Sequence, residues 1–130
     1  MDNQETKQPA GWAVSSRVML IVDLIGTLLL AVMTLRTAPK FKAIYLDLLG
    51  TASLPPITEF FVSIPFTGYF ILFSGVMIAL VVKEITLKDK AWAFGINMAL
   101  LIAGIFYFVL YMTAMFLPLL GIIGSIAEKN

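Results

Sequence analysis

The sequence contains no cysteine and no histidine, and it is poor in charge. Without these two side chains it lacks the commonest ligands of zinc, the usual redox thiol and the usual general base near neutral pH. Charged residues make up 13% of the 130 residues, and the formal net charge is +1. Nucleic acid is therefore excluded as an expected partner, because binding it takes a strongly basic face. We expect no metal, no cofactor and no catalysis.

Apolar residues, in contrast, are abundant. They account for 60% of the sequence, against about 45–50% in ordinary soluble domains. A chain this short has a high ratio of surface to volume, so it would need more polar residues than average to stay soluble. The composition predicts an all-α integral membrane protein, in which the lipid bilayer covers most of the surface.

Three nearly uncharged stretches are long enough to cross a bilayer, which takes about 20 apolar residues in a helix. Pro118 interrupts the last of these stretches and is expected to kink it. The predicted regions are a polar tail at 1–16, spans at about 18–35, 60–82 and 91–117 within one membrane domain of residues 17–127, an external loop at 36–59, and a tail at 128–130.

The turn between the second and third predicted spans reads KEITLKDK, from Lys83 to Lys90. Basic residues are enriched on the cytoplasmic side of membrane proteins, so this turn favours a cytoplasmic N-terminus. Acidic Asp2 and Glu5 stand where a cleaved signal peptide carries basic residues. We therefore expect the first span to be retained as an anchor.

The loop between the first two spans has a helical pattern of its own. Apolar residues recur on one face of residues 39–50, and a proline and a glycine stand where such a helix would begin and end. The pattern predicts a short amphipathic helix that lies on the membrane surface or docks a partner. The candidate contact residues of this loop are Pro39, Phe41, Tyr45, Leu54 and Pro55.

Two motifs in the chain resemble a known family. The first is Pro-Lys-Phe from Pro39, followed by a short helix, Leu-Pro at 54–55 and Thr58. It resembles the loop between the first two transmembrane helices of the inner-membrane platform proteins of type II secretion and type IV pili. The second, Ala-Met-Phe-Leu-Pro-Leu over 114–119, is similar to the end of that family's last span.

This resemblance implies a three-span platform in the bacterial inner membrane that binds other membrane proteins. Members of that family carry two cytoplasmic helical domains that couple to the assembly ATPase. At the corresponding positions this sequence has a tail of about 16 residues and the turn from Lys83 to Lys90. The resemblance therefore implies a reduced, membrane-only version that lacks the ATPase-coupled parts.

Asp23 is the only ionisable residue well inside a predicted span, and such residues often mark function. It is predicted to reach interfacial water, to bond with Asn97 or a neighbouring subunit, or to form a proton or ion site. Gly95, Ala99 and Ala103 repeat every four residues. This spacing lets helices approach closely, either within the monomer or between subunits.

The sequence as a whole predicts a non-catalytic membrane scaffold or platform subunit of a larger complex. Two alternatives stay open: an accessory subunit of an unrelated respiratory, photosynthetic or transport complex, and a small pore former of the holin type. The expected partners are other membrane protein subunits and lipid, and a second copy of the chain is a further candidate.

Overall fold

The structure, a computed structural model, describes residues 10–50 and 53–128. These residues form four α-helices and no strand, which confirms the all-α prediction. Residues 1–9 and 129–130, which belong to the two predicted tails, lie outside the described part. The helices are α1 (Ala10–Leu49), α2 (Pro56–Ser63), α3 (Phe66–Thr86) and α4 (Lys90–Ala127).

Helices α1, α3 and α4 are each long and apolar enough to cross a membrane, so the chain is a multi-pass membrane protein. At 1.5 Å per residue, the 21 residues of α3 extend about 31 Å, which matches the hydrocarbon core of a bilayer. The 40 residues of α1 and the 38 of α4 extend about 60 and 57 Å. These two helices therefore continue well past the length of α3.

A short helix between the first and second spans is present, but it is α2, at Pro56–Ser63. Residues 39–49, which were predicted to form that helix, instead continue α1 without a break. The helix runs through Pro39 because the following turns pack their apolar face on α4, and Tyr45 is buried there. Gly50 ends the helix as predicted, with a φ of 55° that favours glycine.

Helices α1 and α4 lie side by side and run in the same direction. The Thr34 hydroxyl is hydrogen-bonded to that of Tyr107 at 3.1 Å, and one turn further on the Thr37 hydroxyl is bonded to that of Tyr111 at 2.7 Å. These pairs advance together along both helices, which fixes their parallel register. Helix α4 also continues through Pro118 to Ala127 as one element.

Helix α3 runs antiparallel to α1. Its C-terminal end lies beside the start of α1, where Ser16 bonds Glu84, and its N-terminal end lies beside Ala38, which packs with Tyr69. Helix α1 packs extensively on both α3 and α4, whereas α3 and α4 touch each other little. Helix α1 is therefore the central element, and its two sides hold the other two spans.

The end of the bundle around α2 has an aromatic core. The rings of Phe61 and Tyr111 meet edge to face at 5.6 Å, and the rings of Phe73 and Tyr107 do so at 5.8 Å. Tyr107 and Tyr111 are stacked at 6.0 Å. Edge-to-face and stacked pairs favour defined ring positions, so this core fixes α2 against the long helices.

Candidate functional site: a groove lined by Asp23

A polar network joins the three long helices at the end of the bundle opposite α2. The Ser16 hydroxyl of α1 donates to both carboxylate oxygens of Glu84 on α3, at 2.9 Å each. The ammonium groups of Lys83 and Lys90 lie 3.6 and 3.5 Å from the same carboxylate. The Glu84 carboxylate thus accepts hydrogen bonds from Ser16 of α1 and Lys90 of α4 and forms an ion pair with Lys83 of its own helix, and its side chain is only 10% exposed.

Asn97 belongs to this polar network and not to Asp23. Its amide nitrogen donates to the Ser16 carbonyl at 3.2 Å, and its amide oxygen accepts from the Lys83 ammonium. Lys83 also donates to the Ala93 carbonyl at 3.1 Å. Neither carboxylate oxygen of Asp23 has a hydrogen-bond partner among the described residues, so the structure does not show the predicted hydrogen bond between Asn97 and Asp23.

At the α2 end, two prolines each leave a backbone carbonyl without its helical donor. Pro65 has no N–H to offer the Phe61 carbonyl, and the Tyr69 hydroxyl donates to that oxygen instead, at 2.5 Å. Pro118 likewise leaves the Ala114 carbonyl free, and the Thr58 hydroxyl of α2 donates to it at 2.5 Å. Lipid has no hydrogen-bond donor for these carbonyls, so hydroxyl side chains from other helices replace the missing backbone N–H groups.

The predicted loop contacts lie largely within the chain's own core. Tyr45 is buried and donates its hydroxyl to the Met115 carbonyl. Phe41 stacks on Tyr45 with ring centroids 5.9 Å apart, and Leu54 packs against the same cluster. Pro55 is half-buried before α2, whereas Pro39 is exposed on α1. Pro39 is therefore the member of this set that is most open to a partner.

Gly95, Ala99 and Ala103 lie on the outer face of α4, and all three are exposed. The buried residues of the same helix lie on another face and include Ala93, Asn97 and Tyr111. Within the described part of the chain, the predicted small-residue stripe thus lies outside the packed interior. The four-residue spacing was predicted to serve packing either within the monomer or between subunits. The exposed position of the stripe leaves contact between subunits open.

Asp23 lines an open-sided cavity of about 320 Å³ between α1 and α4. Its side chain is 4% exposed, and neither carboxylate oxygen has a hydrogen-bond partner among the described residues. The other walls are mainly apolar, with the Thr27 hydroxyl as a second polar group. We call this cavity the Asp23 groove; further walls include Gly26, Leu30, Gly104 and Phe108.

The Asp23 groove exists because glycines stand where larger side chains would fill it. A Cβ atom added at Gly26 would meet nothing within 4 Å, and one at Gly104 would meet only the end of Leu30 at 3.6 Å. Leu or Ile at either position would occupy the space between α1 and α4. The sequence thus leaves room beside its one deeply placed acid.

An unpartnered carboxylate in apolar surroundings destabilises the chain that carries it. We predict that Asp23→Leu raises the free energy of unfolding of the isolated protein by about 1 kcal/mol. Unfolding by sodium dodecyl sulfate, followed by circular dichroism in mixed micelles, measures the change. Asp47→Leu, at an exposed position of α1, is the control and should change the value by less than about 0.5 kcal/mol. A loss of stability in Asp23→Leu would mean that the carboxylate has a stabilising partner.

Several residues of these sites were not identified in the sequence. The sequence predicts Lys83 and Glu84 in a turn, whereas in the structure both belong to α3 and hold the polar network. The signal for Thr58 and Tyr69 was present in Pro118 and Pro65, since each proline predicts a carbonyl four residues earlier that needs a donor. The sequence does not show which hydroxyl donates to each of these carbonyls.

Comparison of this chain with family models, curated proteins and solved structures finds no match. The likeness of the Pro39 and Pro118 motifs to the secretion and pilus platform proteins therefore stays a prediction from the sequence.

Proposed function

We propose that this chain is a non-catalytic scaffold subunit of a membrane protein complex, and that the outer face of α4 binds a transmembrane helix of another subunit. The observation that carries this proposal is the exposed position of Gly95, Ala99 and Ala103. Helices in lipid associate through close packing, and small residues allow it. A stripe of this kind turned away from the bundle supports a contact with a second chain.

Large apolar side chains flank the stripe. Ile102 and Phe106 are 63% and 62% exposed on the same side of α4. Together with the small residues they form an uneven apolar surface, against which the side chains of a neighbouring helix can pack. The partner we propose is accordingly an apolar transmembrane helix rather than a water-soluble protein.

A scaffold also has to keep its helices in fixed positions. The polar network holds one end of the bundle through Glu84, and the hydroxyls of Thr58 and Tyr69 hold the other end through backbone carbonyls. These hydrogen bonds connect different helices: α1 with α3 at the first end, and α2 with α4 and with α3 at the second. The outer face of α4 is therefore presented by a braced bundle, which supports the scaffold proposal.

The location and orientation are part of the same proposal. We place the chain in the bacterial inner membrane, with the polar network end and the turn after α3 in the cytoplasm. Among the described residues, four basic side chains lie at that end and three, Arg36, Lys40 and Lys42, at the other, a small excess in the direction of the cytoplasmic enrichment of basic residues. The resemblance to platform proteins suggests a secretion or pilus assembly as the complex, and a respiratory, photosynthetic or transport complex is the alternative.

The prediction concerns Ala99, at the centre of the stripe. In Ala99→Leu a branched side chain separates the two helices, so the amount of partner protein that is purified with the chain should fall at least about tenfold. The tagged chain is extracted in digitonin from its native membranes, and the partner is quantified by mass spectrometry. The control is Ala79→Leu, an exposed alanine of α3, which should retain the partner.

Two results would contradict the scaffold proposal. One is equal recovery of every membrane protein with Ala99→Leu and Ala79→Leu. The other is purified wild-type chain that makes liposomes leak without any partner, since this outcome would favour the pore-forming alternative.

A further inference from the structure

We propose that the Asp23 groove binds a lipophilic cation, a small apolar molecule that carries one ammonium or guanidinium group. This inference is independent of the scaffold proposal, because the groove lies between α1 and α4 whereas the small-residue stripe lies on the outer face of α4.

The charge of the ligand follows from Asp23. An ionised carboxylate accepts hydrogen bonds and donates none, so its natural complement is a cation with N–H donors. Both oxygens of Asp23 are buried and lack a hydrogen-bond partner in the described part of the chain. The charge of Lys83 acts on Asp23, but the Lys83 ammonium donates its hydrogen bonds to Asn97 and Ala93, so both Asp23 oxygens can accept hydrogen bonds from an external cation.

The size of the ligand follows from the volume. The groove measures about 320 Å³, at the lower end of the range of about 300–1,000 Å³ for small-molecule sites. A single turn of α-helix, about 10 Å across and 5.4 Å long, already occupies about 400 Å³. The groove therefore suits a compact molecule better than an inserted helix.

The apolar character of the ligand follows from the walls and the opening. Leu30, Met33 and Leu101 line the interior, and the exposed side chains of Leu29 and Ile105 stand at the rim. The rim lies on the apolar surface of two membrane-spanning helices, so a ligand reaches the groove from the lipid. Such a molecule has to partition into the bilayer before it binds.

The test uses the purified full chain in dodecyl maltoside and naphthylethylamine, a cationic probe with an apolar ring system. Isothermal titration calorimetry measures its Kd, and naphthylethanol, which has a hydroxyl in place of the ammonium group, is the neutral comparison. We expect the amine to bind at least about tenfold more tightly than the alcohol, because a charge-assisted hydrogen bond to a buried carboxylate is strong.

Two variants examine the two properties of the site separately. Asp23→Asn keeps the shape and removes the charge, and Gly26→Leu keeps the charge and fills the groove; each should weaken amine binding at least about tenfold. Gly75→Leu is the matched control, because Gly75 is an exposed residue of α3 with open space around it, and it should bind like wild type. Circular dichroism and thermal unfolding confirm that each variant is folded.

The proposal fails if wild type binds the amine no better than the alcohol, or if Asp23→Asn binds the amine as wild type does. It also fails if no amine binds wild type while the groove variants lose a co-purified membrane protein, because a basic side chain of that protein would then be the occupant. Ala99→Leu should bind the amine normally, so failure of the scaffold proposal leaves this test unaffected.

Discussion

Replacing Glu84 with leucine is expected to lower the free energy of unfolding by about 2–4 kcal/mol. The Glu84 carboxylate accepts the Ser16 hydroxyl and lies within 3.6 Å of the ammonium groups of Lys83 and Lys90. Its loss leaves two cations close together, and both are partly withdrawn from solvent. Removing one member of a buried charge pair destabilises a protein by more than the intact pair stabilises it, because the other charge stays buried without its partner.

Tryptophan fluorescence during unfolding by sodium dodecyl sulfate measures this effect. The chain has two tryptophans, and both lie at the polar network end, where Trp12 meets the ring of Phe94 at 5.7 Å. Glu59→Leu is the matched control, because Glu59 is exposed on α2, and it should change the free energy by less than about 0.5 kcal/mol. Equal effects of the two substitutions would show that the polar network does not hold the helices together.

Replacing Thr58 with valine is expected to lower the free energy of unfolding by about 2 kcal/mol. Valine has the shape of threonine but no hydroxyl, so the Ala114 carbonyl loses the donor that now stands 2.5 Å away. Most carbonyls in α4 have a backbone donor four residues later, but Pro118 cannot supply one here. A buried carbonyl without any donor bears the full desolvation penalty.

A second substitution makes this prediction specific. Pro118→Ala restores the missing N–H, so in that background Thr58→Val should lower the free energy by less than about 0.5 kcal/mol. The difference between the two backgrounds is the coupling energy of a double-mutant cycle. Thr113→Val is the control, because the exposed Thr113 bonds only the Val109 carbonyl of its own helix. The same loss in both backgrounds would contradict the role given to Thr58.

Much of the fold could be predicted because hydropathy and helix length act locally. Charged residues such as Arg17 and Arg36 separate the apolar stretches, so the three membrane-crossing helices could be counted from the sequence, although α1 itself extends beyond both arginines. The continuation of α1 through Pro39 could not be predicted in the same way. Pro39 and Pro65 give the same local signal, but a helix ends only before Pro65. The residues after Pro39 pack on α4, and this packing keeps α1 continuous.

The candidate site could be predicted in part. Asp23 was identified because an acid in an apolar run is conspicuous, and the four-residue spacing of Gly95 and Ala99 was visible at once. The bonds of Asn97 were not, since Ser16 and Lys83 lie 81 and 14 residues away along the chain. The sequence does not show that Asp23 lacks a hydrogen-bond partner, because an absent contact has no sequence pattern. This property depends on how α1 and α4 are arranged.

Photocrosslinking from Phe106 tests the proposed scaffold function most directly. Phe106 follows the small-residue stripe on the outer face of α4 and is 62% exposed, and Phe70 is 57% exposed on α3. Each is replaced in turn by p-azidophenylalanine, and cells are irradiated before their membranes are extracted. We expect a protein adduct of defined mass from position 106 and none from position 70. Crosslinks to lipid alone at position 106, or the same protein adducts from both positions, would contradict a binding face on α4.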